Sequence, residues 1–165
     1  MSLKINTVKL DNAGVDYEGS LTPGDLDLEA IPNRGEIVSL SEARYAFHAS
    51  MVRGSLLISG NLSVVCECVC GRCLEKFEMP LEGIEACHYY DDTSVDEIDV
   101  APDLREDILV ALPSNPLCSP ECQGLCPSCG ANRNAEPCGC ADSADDATGG
   151  DDNPWAALDD LKKSL

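Results

Sequence analysis

Large side chains and positive charge are both scarce in this chain. Its 165 residues carry one Trp, four Tyr and two Phe: Tyr17, Tyr45, Phe47, Phe77, Tyr89, Tyr90 and Trp155. So little large apolar surface suits one modest domain with an appendage, and metal ligation is expected to supply part of the folding energy of the C-terminal region. Lys and Arg number 11 against 30 Asp and Glu, a formal net charge of −19. Broad binding of phosphate backbones needs a basic field. Any nucleic-acid contact must therefore be local, or made together with a basic partner. No apolar stretch of about seven or more residues follows Met1-Ser-Leu-Lys-Ile-Asn6, so no secretory signal is expected. No run approaches the ~18 apolar residues of a membrane span. These absences predict a cytoplasmic location with reduced thiols. The two histidines, His48 and His88, stand in no His-Xaa-Glu or Ser–His setting, and both read as strand surface residues. No glycine loop cradles a phosphate, and no small-molecule substrate is evident.

Cysteine is what the chain has instead. Eight of its 11 cysteines form four close pairs: Cys70 with Cys73, Cys118 with Cys122, Cys126 with Cys129, and Cys138 with Cys140. Close pairs separated by a long gap are how a chain offers thiolates to a tetrahedral ion, each pair wrapping one edge of the metal. Two Cys₄ zinc sites could be closed this way, each adding about two further negative charges to the folded protein. A disulfide framework fits a reducing compartment and an odd cysteine count poorly, and a Cys₄ iron–sulfur cluster is a third option. Spacing alone allows Cys118, Cys122, Cys126 and Cys129 to form one local site. It equally allows Cys70 and Cys73 to share a site with Cys118 and Cys122. Catalytic zinc keeps a position open and commonly uses His or carboxylate ligands, whereas thiolates here suffice to close both shells. A thiol oxidoreductase based on Cys70-Gly-Arg-Cys73 would need a low-pKa thiol at a helix start, and the expected setting is a strand end. No enzyme activity is expected.

The alternation of apolar and polar residues predicts an α+β, mainly β fold: an antiparallel curved sheet or partial barrel with one helix and a Cys-rich, zinc-binding C-terminal region. Residues 1–35 are weakly patterned, with a short strand expected over Leu3–Leu10. Residues 36–117 read as the β domain. Tyr45, Phe47, Ala49 and Met51 share one face of a strand, and Leu56 and Ile58 share one face of the next. Gly60-Asn61 is expected to form a tight hairpin turn. The returning strand puts Leu62, Val64, Cys66, Cys68 and Cys70 on one face, so that Cys66 and Cys68 read as core thiols rather than ligands. Phe77, Met79 and Leu81 alternate with polar residues, Gly83 marks a bulge, and Cys87 reads as a packed thiol. Leu104, Ile108, Ala111 and Leu112 then lie on one helical face, with Asp99 as cap, Pro102 in the first turn and Pro113 as terminator. Residues 118–140 form the Cys-rich region and 141–152 a flexible acidic linker. Residues 153–165 form a short helix begun by Asn153-Pro154, with Trp155, Leu158 and Leu161 on one stripe.

Four segments in order, Cys70-Gly-Arg-Cys73-Leu-Glu-Lys-Phe, Ala111-Leu-Pro-Ser-Asn-Pro-Leu-Cys118, Cys122-Gln-Gly-Leu-Cys126-Pro-Ser-Cys129-Gly-Ala-Asn and Asn153-Pro-Trp155-Ala-Ala-Leu158, resemble the YceD family, bacterial and plastid proteins linked to accumulation of large-subunit ribosomal RNA. The resemblance covers most of residues 50–165. It implies a ribosome-assembly role rather than a defined chemical activity. Some members keep the first knuckle and a His or Cys pair at the positions of Cys118 and Cys122 while lacking the Gly-Leu-Cys-Pro-Xaa-Cys insert. Others carry His in place of Cys138 or Cys140. The resemblance therefore implies two separate sites: Cys70, Cys73, Cys118 and Cys122 in one, and Cys126, Cys129, Cys138 and Cys140 in the other. Arg72, Lys76 and Arg133, and the tail residue Trp155, are candidate contacts to RNA or a partner, although the three cations could equally neutralise thiolate charge. The implied partner is ribosomal RNA or a large-subunit ribosomal protein. An alternative is an acidic interaction factor that meets a basic ribosomal protein without touching RNA.

Overall fold

The computed structural model describes residues 3–29, 36–91, 96–136 and 138–140. The expected linker over 141–152 and the tail helix over 153–165, with Trp155, lie outside the described residues. The chain runs β1 (Lys4–Asn6), a 3₁₀ turn (Thr7–Lys9), β2 (Val15–Leu21), β3 (Ile37–Leu40), β4 (Ala43–Val52), β5 (Ser55–Val69), β6 (Lys76–Tyr90), β7 (Glu97–Asp99) and α1 (Ala101–Ala111). Among the described residues this is the mainly β architecture with one helix that the alternation predicts over 36–117. The sheets are antiparallel and open.

The central strand β5 has β6 along its whole length on one edge. On the other edge β4 pairs with Ser55–Ser63, and β3 then takes over at Cys66–Cys68. The weakly patterned N-terminal segment contributes more than its sequence suggests. β2 is a full edge strand, with Val15–Leu21 in register against Ala49–Ala43. The strand expected over Leu3–Leu10 is shorter: β1 pairs with β7, and Asn6 Oδ1 then accepts the Lys9 N–H and starts the 3₁₀ turn.

The expected hairpin at Gly60-Asn61 is not there; β5 passes straight through it. The chain reverses instead at Arg53-Gly54, where φ is +56° and +90°, the positive pair that a two-residue hairpin loop between twisted strands requires. Gly60 answers a different need. A Cβ there would lie 2.2 Å from the Ala46 carbonyl oxygen and 2.4 Å from Phe47 Cα, so the residue is small because β4 passes close by.

Gly83, at φ +68°, sits in the expected bulge. The register of β5 against β6 shifts between Leu62 and Val64, which face Ile84 and Leu81. One extra residue reverses the parity of everything after it. Ile84 and Ala86 turn into the core, and His88 and Tyr90 follow them inward. Cys87 is consequently exposed rather than packed. His88 is not a surface residue but meets α1, where its Nε2 lies 2.6 Å from Asp107 Oδ2.

The main core lies between the inner face of the sheet and α1, where Leu56, Ile58, Leu104 and Ile108 are fully buried. Each such side chain contributes about 1.5–3 kcal/mol by leaving water. Pro102 occupies the first turn of α1, but the cap position is Val100, which makes no side-chain cap bond; Asp99, expected to cap, stands one residue earlier and accepts the Ala101 N–H on Oδ1 at 3.2 Å. The chain leaves the helix in an extended conformation at Leu112, ahead of Pro113, which could not continue it. This exit carries the segment to Cys118 back past the end of β5.

Candidate metal centre

Cys70 follows the last residue of β5, and the turn to Cys73 joins β5 to β6. The Leu74 N–H donates to the Cys70 carbonyl at 3.0 Å, and the Cys70 N–H donates to the Glu75 carbonyl at 2.9 Å. Leu74 takes a φ of +60° to close the turn. The Cys126–Cys129 turn repeats this pattern residue for residue. Gly130 N–H donates to the Cys126 carbonyl at 2.9 Å, Cys126 N–H donates to the Ala131 carbonyl at 2.8 Å, and Gly130 has φ +75°. The protein thus has two copies of one knuckle, with glycine at the left-handed position of the second and leucine at that of the first.

The segment leaving α1 docks on the first knuckle. Gly71 N–H donates to the Pro116 carbonyl at 2.9 Å, and a Cβ on Gly71 would lie 2.2 Å from Asn115 Oδ1. Phe77 and Leu117 pack on Cys70, Cys73 and Cys122 in a small second core. Docking brings Cys70 Sγ to 3.8 Å from Cys122 Sγ and Cys73 Sγ to 3.7 Å from Cys118 Sγ. The sulfurs of Cys70, Cys73, Cys118 and Cys122 all lie within 4.8 Å of one another. Those of Cys126, Cys129, Cys138 and Cys140 form a second such group. The local combination of Cys118 and Cys122 with Cys126 and Cys129 is not the one the fold assembles.

These separations identify the kind of group that fits. A tetrahedron with metal–sulfur bonds of about 2.3 Å has sulfur–sulfur edges of about 3.8 Å. A disulfide needs about 2.05 Å, and a four-iron cluster, with one thiolate per iron, holds its sulfurs farther apart than a single shared ion does. Each group of four thiols could therefore hold one metal ion.

The electrostatics of the thiols point the same way. Burial opposes ionisation of Cys70, yet the backbone N–H groups of Cys118, Cys73 and Arg72 turned toward its sulfur outweigh it and bring the thiol down to about 6. Backbone N–H groups of Cys129 and Ser128 do the same for Cys126, also down to about 6. Cys118 is pushed up to about 12, chiefly because its proton is shared with the Cys122 sulfur. Cys140 is pushed up to about 12 against Cys129 and Cys126. The inner group thus has two sulfurs prepared for negative charge, Cys70 and Cys122, and two that resist it, Cys73 and Cys118, and the outer group sets Cys126 against Cys140 in the same way. A bound cation removes that conflict.

Cys66 and Cys68 are fully buried on the inner face of β5. Burial pushes the Cys66 thiol up to about 11 and raises Cys68, which leaves them as inert core thiols. Arg72 is an exposed residue, but its guanidinium is engaged: Nη1 donates to the Cys122 carbonyl at 2.9 Å and the Pro120 carbonyl at 3.3 Å. Lys76 Nζ lies 3.2 Å from Glu67 Oε1, and that amine holds the Glu67 carboxyl below its ordinary range. Arg133 is half-buried, and its N–H donates to the Gly124 carbonyl at 2.9 Å. One contributor escapes sequence reasoning. Asn134 Nδ2 donates to Cys122 Sγ at 3.2 Å, and nothing in the local sequence marks that asparagine out from Asn132 two residues earlier.

Proteins of Mycobacterium bovis and of the CDC 1551 and H37Rv strains of Mycobacterium tuberculosis, each named only as an uncharacterized protein, are similar to this chain at 27% identity over 132 residues. The match covers 70% of this chain and spans 61% of the length of those relatives. No solved structure matches the chain. The family described as large ribosomal RNA subunit accumulation protein YceD matches residues 58–162, a stretch that begins in β5 and takes in both knuckles and all eight paired cysteines. The chain belongs to the YceD family.

Proposed function

We propose that this protein is a non-enzymatic, cytoplasmic factor in ribosome assembly that supports accumulation of large-subunit ribosomal RNA and is stapled by two structural zinc ions. The family assignment carries the cellular role. The chemistry of the donor set supports zinc: soft thiolates in groups of four suit a tetrahedral ion such as zinc, and a closed shell leaves no position for a substrate. Cys70, Cys73, Cys118 and Cys122 would hold one ion, and Cys126, Cys129, Cys138 and Cys140 the other. Native mass spectrometry of protein purified without added metal tests the stoichiometry, with two zinc ions per chain expected and a disulfide-bonded apo mass refuting it. Depletion of the protein, followed by quantification of the large-subunit and small-subunit ribosomal RNAs and their precursors, tests the role. Large-subunit RNA should fall, and unchanged levels would overturn the assignment.

A second reading, contact with a basic ribosomal protein and none with RNA, is favoured by how the cations near the first knuckle are used. Arg72 is engaged with two carbonyls and Lys76 with Glu67, in a chain of net charge −19. Binding to arbitrary RNA should be weak and should lack the steep salt dependence of many Lys/Arg–phosphate contacts. Crosslinking in living cells with recovery of both RNA and protein adducts separates the two readings.

A further inference from the structure

The two thiol groups differ in exposure and are physically joined. In the inner group Cys70, Cys73 and Cys122 are buried and Cys118 is exposed, while in the outer group Cys126 alone is buried, Cys129 is exposed and Cys138 and Cys140 are half-exposed. Only Gln123, Gly124 and Leu125 separate the last cysteine of one group from the first of the other. Across this short linker the Leu125 N–H donates to the Arg72 carbonyl at 3.1 Å, and the Arg133 N–H donates to the Gly124 carbonyl at 2.9 Å. Gly124 has φ +73°, and a Cβ on it would lie 3.0 Å from the Arg72 carbonyl oxygen.

Asn134 completes the connection. It lies in the outer loop, between Cys129 and Cys138, yet its Nδ2 donates to the inner-group sulfur of Cys122 at 3.2 Å. Its orientation is dictated by its neighbours. The Gln123 N–H donates to Asn134 Oδ1 at 2.8 Å, and Asn132 Oδ1 accepts from Asn134 Nδ2 at 2.9 Å. A flipped amide would set two donors against each other at Gln123 and two acceptors at Asn132. The donor on the sulfur is therefore set by the fold of the outer loop. Asn132 in turn bridges Leu125, next to Cys126.

We infer that Asn134 couples the two groups: the outer loop, when held by its metal, places a hydrogen bond on Cys122 Sγ, so that loading the outer group raises the metal affinity of the inner one. The inference rests on the zinc reading proposed above. Hydrogen bonds onto a ligating atom orient it and spread its charge, and removal of such a partner typically costs about 10–100-fold in metal affinity. Coupling of this kind is reciprocal, so emptying the inner group weakens the outer one by the same factor. The outer group, the more exposed of the two, is then the point of first loss, and its loss is felt at the staple that ties the segment after α1 to the sheet.

The test is a competition of the full-length protein against a chelator of known zinc affinity, with Zn²⁺ alone as ligand, repeated with Co²⁺ so that the thiolate-to-metal absorption bands report each group. Four variants suffice: Asn134→Ala, Asn134→Asp, Cys129→Ser with Cys140→Ser, and that serine pair combined with Asn134→Ala. The paired serine variant should weaken the inner group about 10–100-fold. Asn134→Ala should do the same with the outer group full. Asn134→Asp keeps the acceptor for Gln123 but sets a carboxylate oxygen against the thiolate, so it should weaken the inner group more and shift its absorption band while the outer band stays. Adding Asn134→Ala to the paired serine variant should cost nothing further. Inner affinity indifferent to Asn134→Asp in protein that binds two ions, or losses that multiply in the combined variant, would overturn the coupling alone. Wild-type protein that takes up no zinc would overturn the coupling and the zinc reading together.

Discussion

His88 Nε2 on β6 lies 2.6 Å from Asp107 Oδ2 on α1, and one step along both elements Tyr90 donates from its hydroxyl to Asp103 Oδ2. Four helical residues advance about 6 Å and two strand residues about 6.8 Å, so the two pairs fall in register only where α1 runs antiparallel to β6. Burial, reinforced by Asp103, raises the Tyr90 hydroxyl well above its ordinary range and keeps it a donor. Two polar rungs thus fix the position of the helix whose far end delivers Cys118.

Removing one partner of the first rung leaves the other short of a bond in a site only about a fifth exposed on each side. His88→Ala and Asp107→Ala should each destabilise by roughly 1.5–3 kcal/mol. A double-mutant cycle by urea unfolding should return a coupling of roughly 1–2 kcal/mol. Additive losses would show that the rung contributes packing alone.

Gly60→Ala drives a methyl group into the Ala46 carbonyl oxygen and the backbone of Phe47. Backbone cannot swing away as a side-chain tip can, so the loss should be about 3 kcal/mol or more. Gly139→Ala, where a Cβ meets nothing within 4 Å, serves as control. Thermal melts of both variants check the contrast.

Leu74 occupies a left-handed conformation, with a side chain 63% exposed, at the position Gly130 holds in the second knuckle. The strain of a leucine there is about 1 kcal/mol, against a comparable entropic cost of glycine in the unfolded chain. Leu74→Gly should accordingly change stability by less than about 1 kcal/mol, whereas Leu74→Val, β-branched and at positive φ, should cost more. Chelator-challenge half-lives and melts measure both.

Chelation should act locally. The sheet–helix core around Leu56, Ile58, Leu104 and Ile108 contains no paired cysteine, so strand amides there should keep their hydrogen-exchange protection after metal removal. Amides from Cys118 to Cys140, and the Gly71 N–H donated to Pro116, should lose theirs. Cys70→Ser should halve the zinc stoichiometry; two tightly held ions in that variant would show that the first knuckle is no ligand pair.

Several features were legible before any fold was known because they depend on neighbours in sequence. Strand alternation placed Leu62, Val64, Cys66 and Cys68 on one buried face, and helical spacing placed Leu104 and Ile108 on another. Gly83 was readable as a bulge, but not its effect: one inserted residue turned His88 inward and Cys87 outward. The Gly60-Asn61 signal misled for the same reason. A glycine needed for a turn and one needed for close passage of another strand look alike until the partner strand is present.

The sequence by itself determined the donor chemistry: four thiol pairs at knuckle spacing, too acidic a composition for a broad phosphate-binding field, and a mainly β domain with the helix that follows it. Only the tertiary structure decided which pairs meet. Cys118 and Cys122 are nearer in sequence to Cys126 than to Cys70, yet α1 packs on β6, Pro116 docks on Gly71, and the returning chain puts their sulfurs 3.7 and 3.8 Å from Cys73 and Cys70. Ligand identity is a property of residue type and short spacing. The sharing of a site across some forty-five residues is a property of packing, because only contacts between distant elements bring those atoms within one ion's reach.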